Sequence, residues 1–163
     1  MAEITLSLSK ALLSCHFGLS GVAPLLKPTT VPEDTWKLAL ETVITFHGNE
    51  IFTNVKDYVP QINEGFNHGT FLRPVFAVIF EGGVNIGRVM VMIDYCAMYC
   101  IHLISHGKAL ECEIVENELF LALMTYVNPW LNGREWKEAL VKTRNQPINN
   151  NNWSWWNILF KLK

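Results

Sequence analysis

Asn85, Gly87 and Arg88 carry the clearest chemistry in this chain. They follow Gly82-Gly83 and open a stretch, Val84 to Ile104, that is otherwise apolar on every side apart from Asp94, His102 and some small residues. An amide, a residue without a side chain and a guanidinium in the first turn of a buried helix suit the capture of a carboxylate. The cation offers charge-assisted hydrogen bonds, and the bare glycine lets another backbone come close. The helix dipole does not favour Arg88 there, because the amino end already carries partial positive charge. A lone cation in apolar surroundings needs an anion. Two sources fit: an acid of the chain itself, in a structural ion pair, or a carboxylate on another molecule.

Other chemistry has weaker support. Gly82 to Gly87 has the glycine spacing of a phosphate-binding loop, but Arg88-Val89 stands where Lys and Ser or Thr are required. Neither a G-x-S-x-G nor an H-E-x-x-H motif occurs. Cys15, Cys96, Cys100 and Cys112 show no C-x-x-C spacing, and Cys96 and Cys100 fall on a different helix face from His102, so a metal cluster with His102 and His106 is not expected. The reading is of a non-enzyme without metal or cofactor, whose thiols are reduced in a cytosolic setting.

The elements that must position Asn85 and Arg88 follow from periodicity. The chain has 163 residues, half of them hydrophobic and 17% charged, which suits a single domain with a substantial core. Thirteen basic against fifteen acidic residues give a net charge of −2, with no electrostatic footprint for nucleic acid or an anionic membrane. No basic segment precedes an apolar run at the amino terminus, so a signal peptide is not expected. The most apolar stretch is interrupted by Arg88, Asp94 and His102, short of the roughly 18 uninterrupted residues of a membrane span, and a soluble chain is expected.

Ile4, Leu8, Ala11, Leu12 and Cys15 mark one side of a first helix ending near His16 to Gly18, followed by a short loop to Thr30. Thr30 to Glu33 has capping-box spacing, with Pro32 in the first turn of a helix that carries Trp36, Leu40, Val43 and His47 on one face. Ile51, Val55, Val59 and Ile62 suit a short third helix, closed by Pro60 and the polar run Asn63 to Gly69. Leu72, Phe76, Ile79 and Phe80 predict the helix before the Gly82-Gly83 break. Val84 to Ile104 is then the central post of a bundle, since a helix apolar all round must be surrounded. Glu111, Glu113, Glu116 and Glu118 load the start of the next helix with acid, Leu119, Leu123 and Tyr126 or Val127 supply its apolar face, and Pro129 is expected to end it. Trp153 to Phe160 reads as a short aromatic helix, too short to span a bilayer.

At these residues the chain resembles a known family. Phe76-Ala-Val-Ile-Phe80-Glu-Gly-Gly83-Val-Asn-Ile-Gly87-Arg88 is similar to Bcl-2 homology motif 1, usually ELFRDGVNWGR, with Ile86 at the family's tryptophan and Gly82 at its acid. Asn128 to Trp136 resembles homology motif 2, one residue short and with one glycine replaced. Ile44 to Glu50 resembles a worn motif 3, with Ile44 at the usual Leu and Asn49 at the usual Asp.

The resemblance implies an all-α Bcl-2-like bundle in which a central hairpin, about 85 to 104 and 110 to 128, is wrapped by five or six amphipathic helices. It implies a surface groove for the homology-3 (BH3) helix of pro-apoptotic proteins such as Bim, Bak or Bax, and hence an anti-apoptotic function. Arg88, Asn85 and Gly87 would meet the ligand's aspartate and backbone, with Val75, Ile79, Val91, Tyr95, Ile51 and Val55 around its apolar side chains. The short first loop and degraded motif 3 look most like homologues carried by DNA viruses, gammaherpesviruses especially, acting in the cytoplasm or at the mitochondrial outer membrane of the host cell. Binding of Beclin's homology-3 segment stays open. The alternatives are a pro-apoptotic pore-forming member, which Ile44 and Asn49 disfavour, and a purely structural helical subunit.

Overall fold

A computed structural model of the chain describes residues 6–46, 60–133, 135, 136, 138 and 139. Within them lie six α-helices: α1 (Leu6–Leu19), α2 (Glu33–Phe46), α3 (His68–Ile79), α4 (Ile86–Ser105), α5 (Cys112–Ala122) and the short α6 (Asn128–Leu131). No described residue is in a strand.

Helix α4 is the central post. In its first half, residues from all round its circumference, among them Val89, Met90, Val91, Met92, Ile93, Tyr95, Cys96 and Ala97, are at most 3% exposed, and Tyr99, Cys100 and Leu103 carry one fully buried face on to its end. Helix α1 lays Leu8, Ala11, Leu12 and Cys15 against it and against α2 and α5. The α1 stripe is the i, i+3, i+4, i+7 pattern of the sequence, and each buried Leu contributes roughly 1.5–3 kcal/mol. Helix α4 is also long and apolar enough to cross a bilayer, but most of it is buried inside this bundle.

The α4–α5 turn closes as a Schellman motif. Gly107 takes φ +73°, its N–H reaches Ile104 O at 3.1 Å, and Lys108 N reaches Leu103 O at 2.8 Å. A 3₁₀ turn, Ala109–Glu111, then leads into α5, which packs along α4 as the second half of the expected hairpin.

Two details depart from the sequence reading. Helix α2 starts at Glu33, and Pro32 precedes it with its carbonyl accepting from Trp36 N at 3.0 Å. Glu33 is therefore in the first helical position, two positions before the one from which a glutamate completes a capping box, and Thr30 is not the N-cap. Pro129 does not end the second central helix. The chain passes from α5 through a π-turn, Leu123–Val127, in which Asn128 N bonds Leu123 O, and Pro129 sits in the first turn of α6, where a missing N–H costs little. The stop comes at Asn132 and Gly133, both with positive φ. Helix α3 runs to Ile79 as its spacing predicts, although it carries Pro74 in its interior, on an exposed face.

Tertiary polar contacts lock the helices. Trp136 Nε1 donates to Thr42 Oγ1 at 3.1 Å, and that hydroxyl donates to Leu38 O at 2.7 Å, tying the segment after α6 to α2. His68, buried at the start of α3, bonds Tyr99 of α4 at 2.6 Å and Glu111 at 2.7 Å. Arg73 of α3 makes a two-point contact with Glu118 of α5 at 2.8 and 3.1 Å. Two of the four acids read as helix-dipole partners therefore reach across to α3. The expected helix through Ile51 to Val59 lies outside the described residues, as do His47, Asn49 and Trp153 to Phe160.

Candidate functional site

The turn between α3 and α4 builds the site. Asn67 caps the start of α3, its Oδ1 accepting from Thr70 N at 3.0 Å. The helix ends on Ile79, and Phe80 turns its ring onto Tyr126 of the π-turn, stacked at 4.9 Å between centroids. Gly83 then takes φ +110°, a conformation that strains any residue with a Cβ.

Asn85 begins α4 as its N-cap. Its backbone is extended, and its Oδ1 accepts from Arg88 N at 2.9 Å. An N-cap amide of this kind satisfies one of the orphan donors of the first turn. The cap role is legible in the Asn-x-x-Arg start of an apolar helix, yet the sequence alone points to the ligand role instead.

The Arg88 side chain folds back over the turn. Its Nη1 donates to Ile79 O at 3.2 Å and, more weakly, to Gly83 O at 3.4 Å. Ile79 is the last residue of α3, so the guanidinium sits at the negative end of that helix dipole and uses one of its orphan carbonyls. Arg88 Nε is shut away from solvent without a hydrogen-bond partner. Among the described residues Arg88 forms no ion pair with a carboxylate. Three of the described acids, Asp94, Glu111 and Glu118, face His16, His68 and Arg73 instead.

The remaining predicted residues divide. Val75 and Ile79 on α3 and Val91 and Tyr95 on α4 are all in the core, 1–3% exposed, so in this conformation none is an open wall. Burial pushes the Tyr95 phenol far above its ordinary value, first by desolvation and then by the neighbouring Cys96 and Tyr99. Gly87 is partly buried in the first turn of α4, beside Arg88 in sequence. Ile51 and Val55 lie outside the described residues. No group of His, Cys, Asp or Glu among the described residues is arranged to hold a metal ion. The site's chemical capacity is thus one guanidinium at the end of an apolar helix pair, bonded to the backbone carbonyls of Ile79 and Gly83.

Sequence reasoning missed Gly82. A Cβ built there would stand 2.8 Å from Arg88 Nη2, 2.9 Å from Nη1 and 3.2 Å from Cζ, closer than real Cβ contacts allow. In the sequence Gly82 is only a departure from the motif, and nothing local tells that the guanidinium lies over it.

No family model matches this chain, and no curated protein matches it. Among solved structures it is similar to trBcl-2L2 of Trichoplax adhaerens, in a crystal structure of that protein bound to trBak BH3. The two share 18% sequence identity, with 87% of this chain and 97% of that chain covered and a TM-score of 0.68. At that identity the likeness concerns the fold: this is an all-helical bundle of the Bcl-2 type.

Proposed function

We propose that this chain captures the BH3 helix of pro-apoptotic Bcl-2 relatives and so restrains programmed cell death, catalysing no reaction. One observation carries the reading: at the head of the most buried helix stands an arginine whose described partners are carbonyls rather than a carboxylate. Support comes from the Trichoplax protein, which has the same fold and is bound to a BH3 segment.

The mode is a helix laid in a groove. The ligand sets apolar side chains along α3 and α4 and places its aspartate against Arg88. Asn85 Oδ1 accepts from the cap, and the NH₂ end of that amide is the donor offered to the ligand. Val75, Ile79, Val91 and Tyr95 form the floor of the groove, and a ligand reaches them when the surface above them opens. Gly87 allows the ligand backbone to approach.

A charge-assisted hydrogen bond contributes roughly 1.5–3 kcal/mol, so Arg88→Ala weakens a Bim-type peptide about ten- to a hundredfold. Gly87→Ala tests sterics and costs at least as much. Titration of labelled Bim, Bak, Bax and Beclin peptides by fluorescence anisotropy measures both. If the two variants bind as tightly as the parent, the groove assignment is wrong.

Within this reading, the short connection between α1 and α2 supports a compact, virus-borne protein of the gammaherpesvirus type, acting in the cytoplasm or at the mitochondrial surface of the host. The length and apolarity of α4 favour a second reading, a pore-forming member of the same fold. Permeabilisation of liposomes by the pure protein separates the two, and the inhibitory reading expects none.

A further inference from the structure

The donors of Arg88 can be accounted for one by one. Nη1 is engaged by Ile79 O and Gly83 O, and Nε is occluded. That leaves Nη2 as the group able to meet an incoming acid. A guanidinium binds a carboxylate most strongly through two parallel N–H donors, either Nε with Nη2 or Nη1 with Nη2. In this resting position neither pair is available.

Space at residue 82 permits that position. The three atoms that a Cβ on Gly82 would meet first are all in the Arg88 guanidinium, the far end of a flexible side chain. Gly82 itself is exposed and, unlike Gly83, does not take the left-handed backbone conformation that only glycine adopts easily. An alanine there leaves the turn intact and pushes the guanidinium away.

We propose that Gly82 is a positioning residue that holds Arg88 in a parked state, and that an acid-bearing helix binds only as the guanidinium swings off the Ile79 and Gly83 carbonyls to present a two-donor edge. This rests on the acid-capturing function proposed above and adds the control of that site. Parking lowers affinity for the acid in proportion to the fraction of molecules in which Arg88 is presented, because a ligand's apparent affinity scales with the population of its competent state. It also keeps a buried donor from lying open to unrelated anions.

The experiment compares the parent, Gly82→Ala, Arg88→Ala and the double variant. The probes are an amphipathic BH3-type peptide with one aspartate and the same peptide with asparagine in its place. Gly82→Ala should tighten the aspartate peptide by about three- to tenfold and leave the asparagine peptide within about twofold, and the gain should vanish in the Arg88→Ala background. Where the parent binds the aspartate peptide, an equal gain for both peptides, no gain, or a gain that survives Arg88→Ala overturns the latch.

A second measurement needs no ligand: the exchange rate of the Arg88 Nε–H by nitrogen-15 NMR. The occluded proton should exchange slowly in the parent and like an exposed arginine in Gly82→Ala, and equal rates in the two proteins also overturn the latch. If no protein binds either peptide while the exchange rates differ as expected, the latch stands and the BH3-capture function falls.

Discussion

Asn85 separates folding from binding, because its two ends face different tasks. Its Oδ1 caps α4 through Arg88 N at 2.9 Å, and its NH₂ end is the proposed donor to a ligand carboxylate. Asn85→Ala removes both. The loss of an N-cap costs about 1 kcal/mol, within a range of roughly 0.5–2. Asn85→Asp keeps the accepting oxygen and adds a negative charge at the amino end of a long helix, a favourable placement of about 0.3–1 kcal/mol at low ionic strength. The same charge sits one turn from Arg88 and repels an incoming carboxylate. Urea denaturation should therefore place Asn85→Ala about 1 kcal/mol below the parent and Asn85→Asp level with it or above. The advantage of the aspartate should fade as salt is raised. Peptide titration should rank them differently, with Asn85→Asp binding the acid-bearing helix several-fold more weakly than the parent despite its stability. Equal stability of the alanine variant and the parent would show that the cap is not formed. Unimpaired binding by Asn85→Asp would show that the acid does not dock near this turn.

Three further outcomes follow from the core. Glu111 accepts from His68 Nε2, which in a neutral ring leaves Nδ1 to accept from the Tyr99 hydroxyl. His68→Phe and Tyr99→Phe each orphan a buried partner, so urea denaturation of the singles and the double should reveal a coupling of about 1–3 kcal/mol, and strict additivity would refute the contact. Cys112, half-buried at the head of α5, has its thiol pKa lowered by a hydrogen bond with the Cys100 thiol, whereas burial pushes the Cys15 thiol up to about 12 and the Cys96 thiol higher still. Iodoacetamide near pH 8 followed by peptide mass mapping should find Cys112 modified first, and equal rates at Cys15 or Cys96 would contradict the burial. Desolvation likewise raises Tyr95 and Tyr99, and Cys100 is raised first by its hydrogen bond with Cys112 and then by burial. These groups hold their protons longer folded than unfolded, so their contribution is intact below the unfolded thiol value of about 8.5 and is lost as pH rises above it, by up to about 1.4 kcal/mol per pH unit for each group in transit. Urea midpoints that stay flat between pH 8 and 11 would refute that ledger of protons.

The helices of the core were legible because burial and periodicity coincide in them. The α1 stripe through Leu8, Ala11, Leu12 and Cys15, the α3 set Leu72, Phe76, Ile79 and Phe80, and the all-round apolarity of α4 are each buried as their spacing requires. Local punctuation was less reliable. Thr30 and Glu33 have the right spacing for a capping box, but the helix begins at Glu33 with Pro32 just outside it. Pro129 signals a stop, and the π-turn before it lets the chain carry on. The acids of α5 look like dipole partners, yet Glu111 and Glu118 are aimed by tertiary packing at His68 and Arg73. For the candidate site, the motif singled out Asn85, Gly87 and Arg88. Whether Arg88 meets an internal acid depends on which side chains the fold brings near it, and no spacing along the chain encodes that.

The π-turn links these observations to the site. Inserting one residue into an α-helix shifts everything after it by about 100° around the axis, the angle of a single helical step. Tyr126 lies inside the turn, where its ring reaches Phe80 at the end of α3, while Val127 and Leu131 still face the core. The stack holds the first residue beyond α3 in place, and from there Gly82 and Gly83 lead the chain into Asn85. Pro129 supports the same defect, since it cannot donate to the carbonyl of Thr125 that a regular helix would bring beneath it. The wide turn in the second half of the hairpin thus braces the residue from which the Arg88 turn departs. A regular helix through residues 123–128 would rotate Tyr126 or the core residues after it out of register.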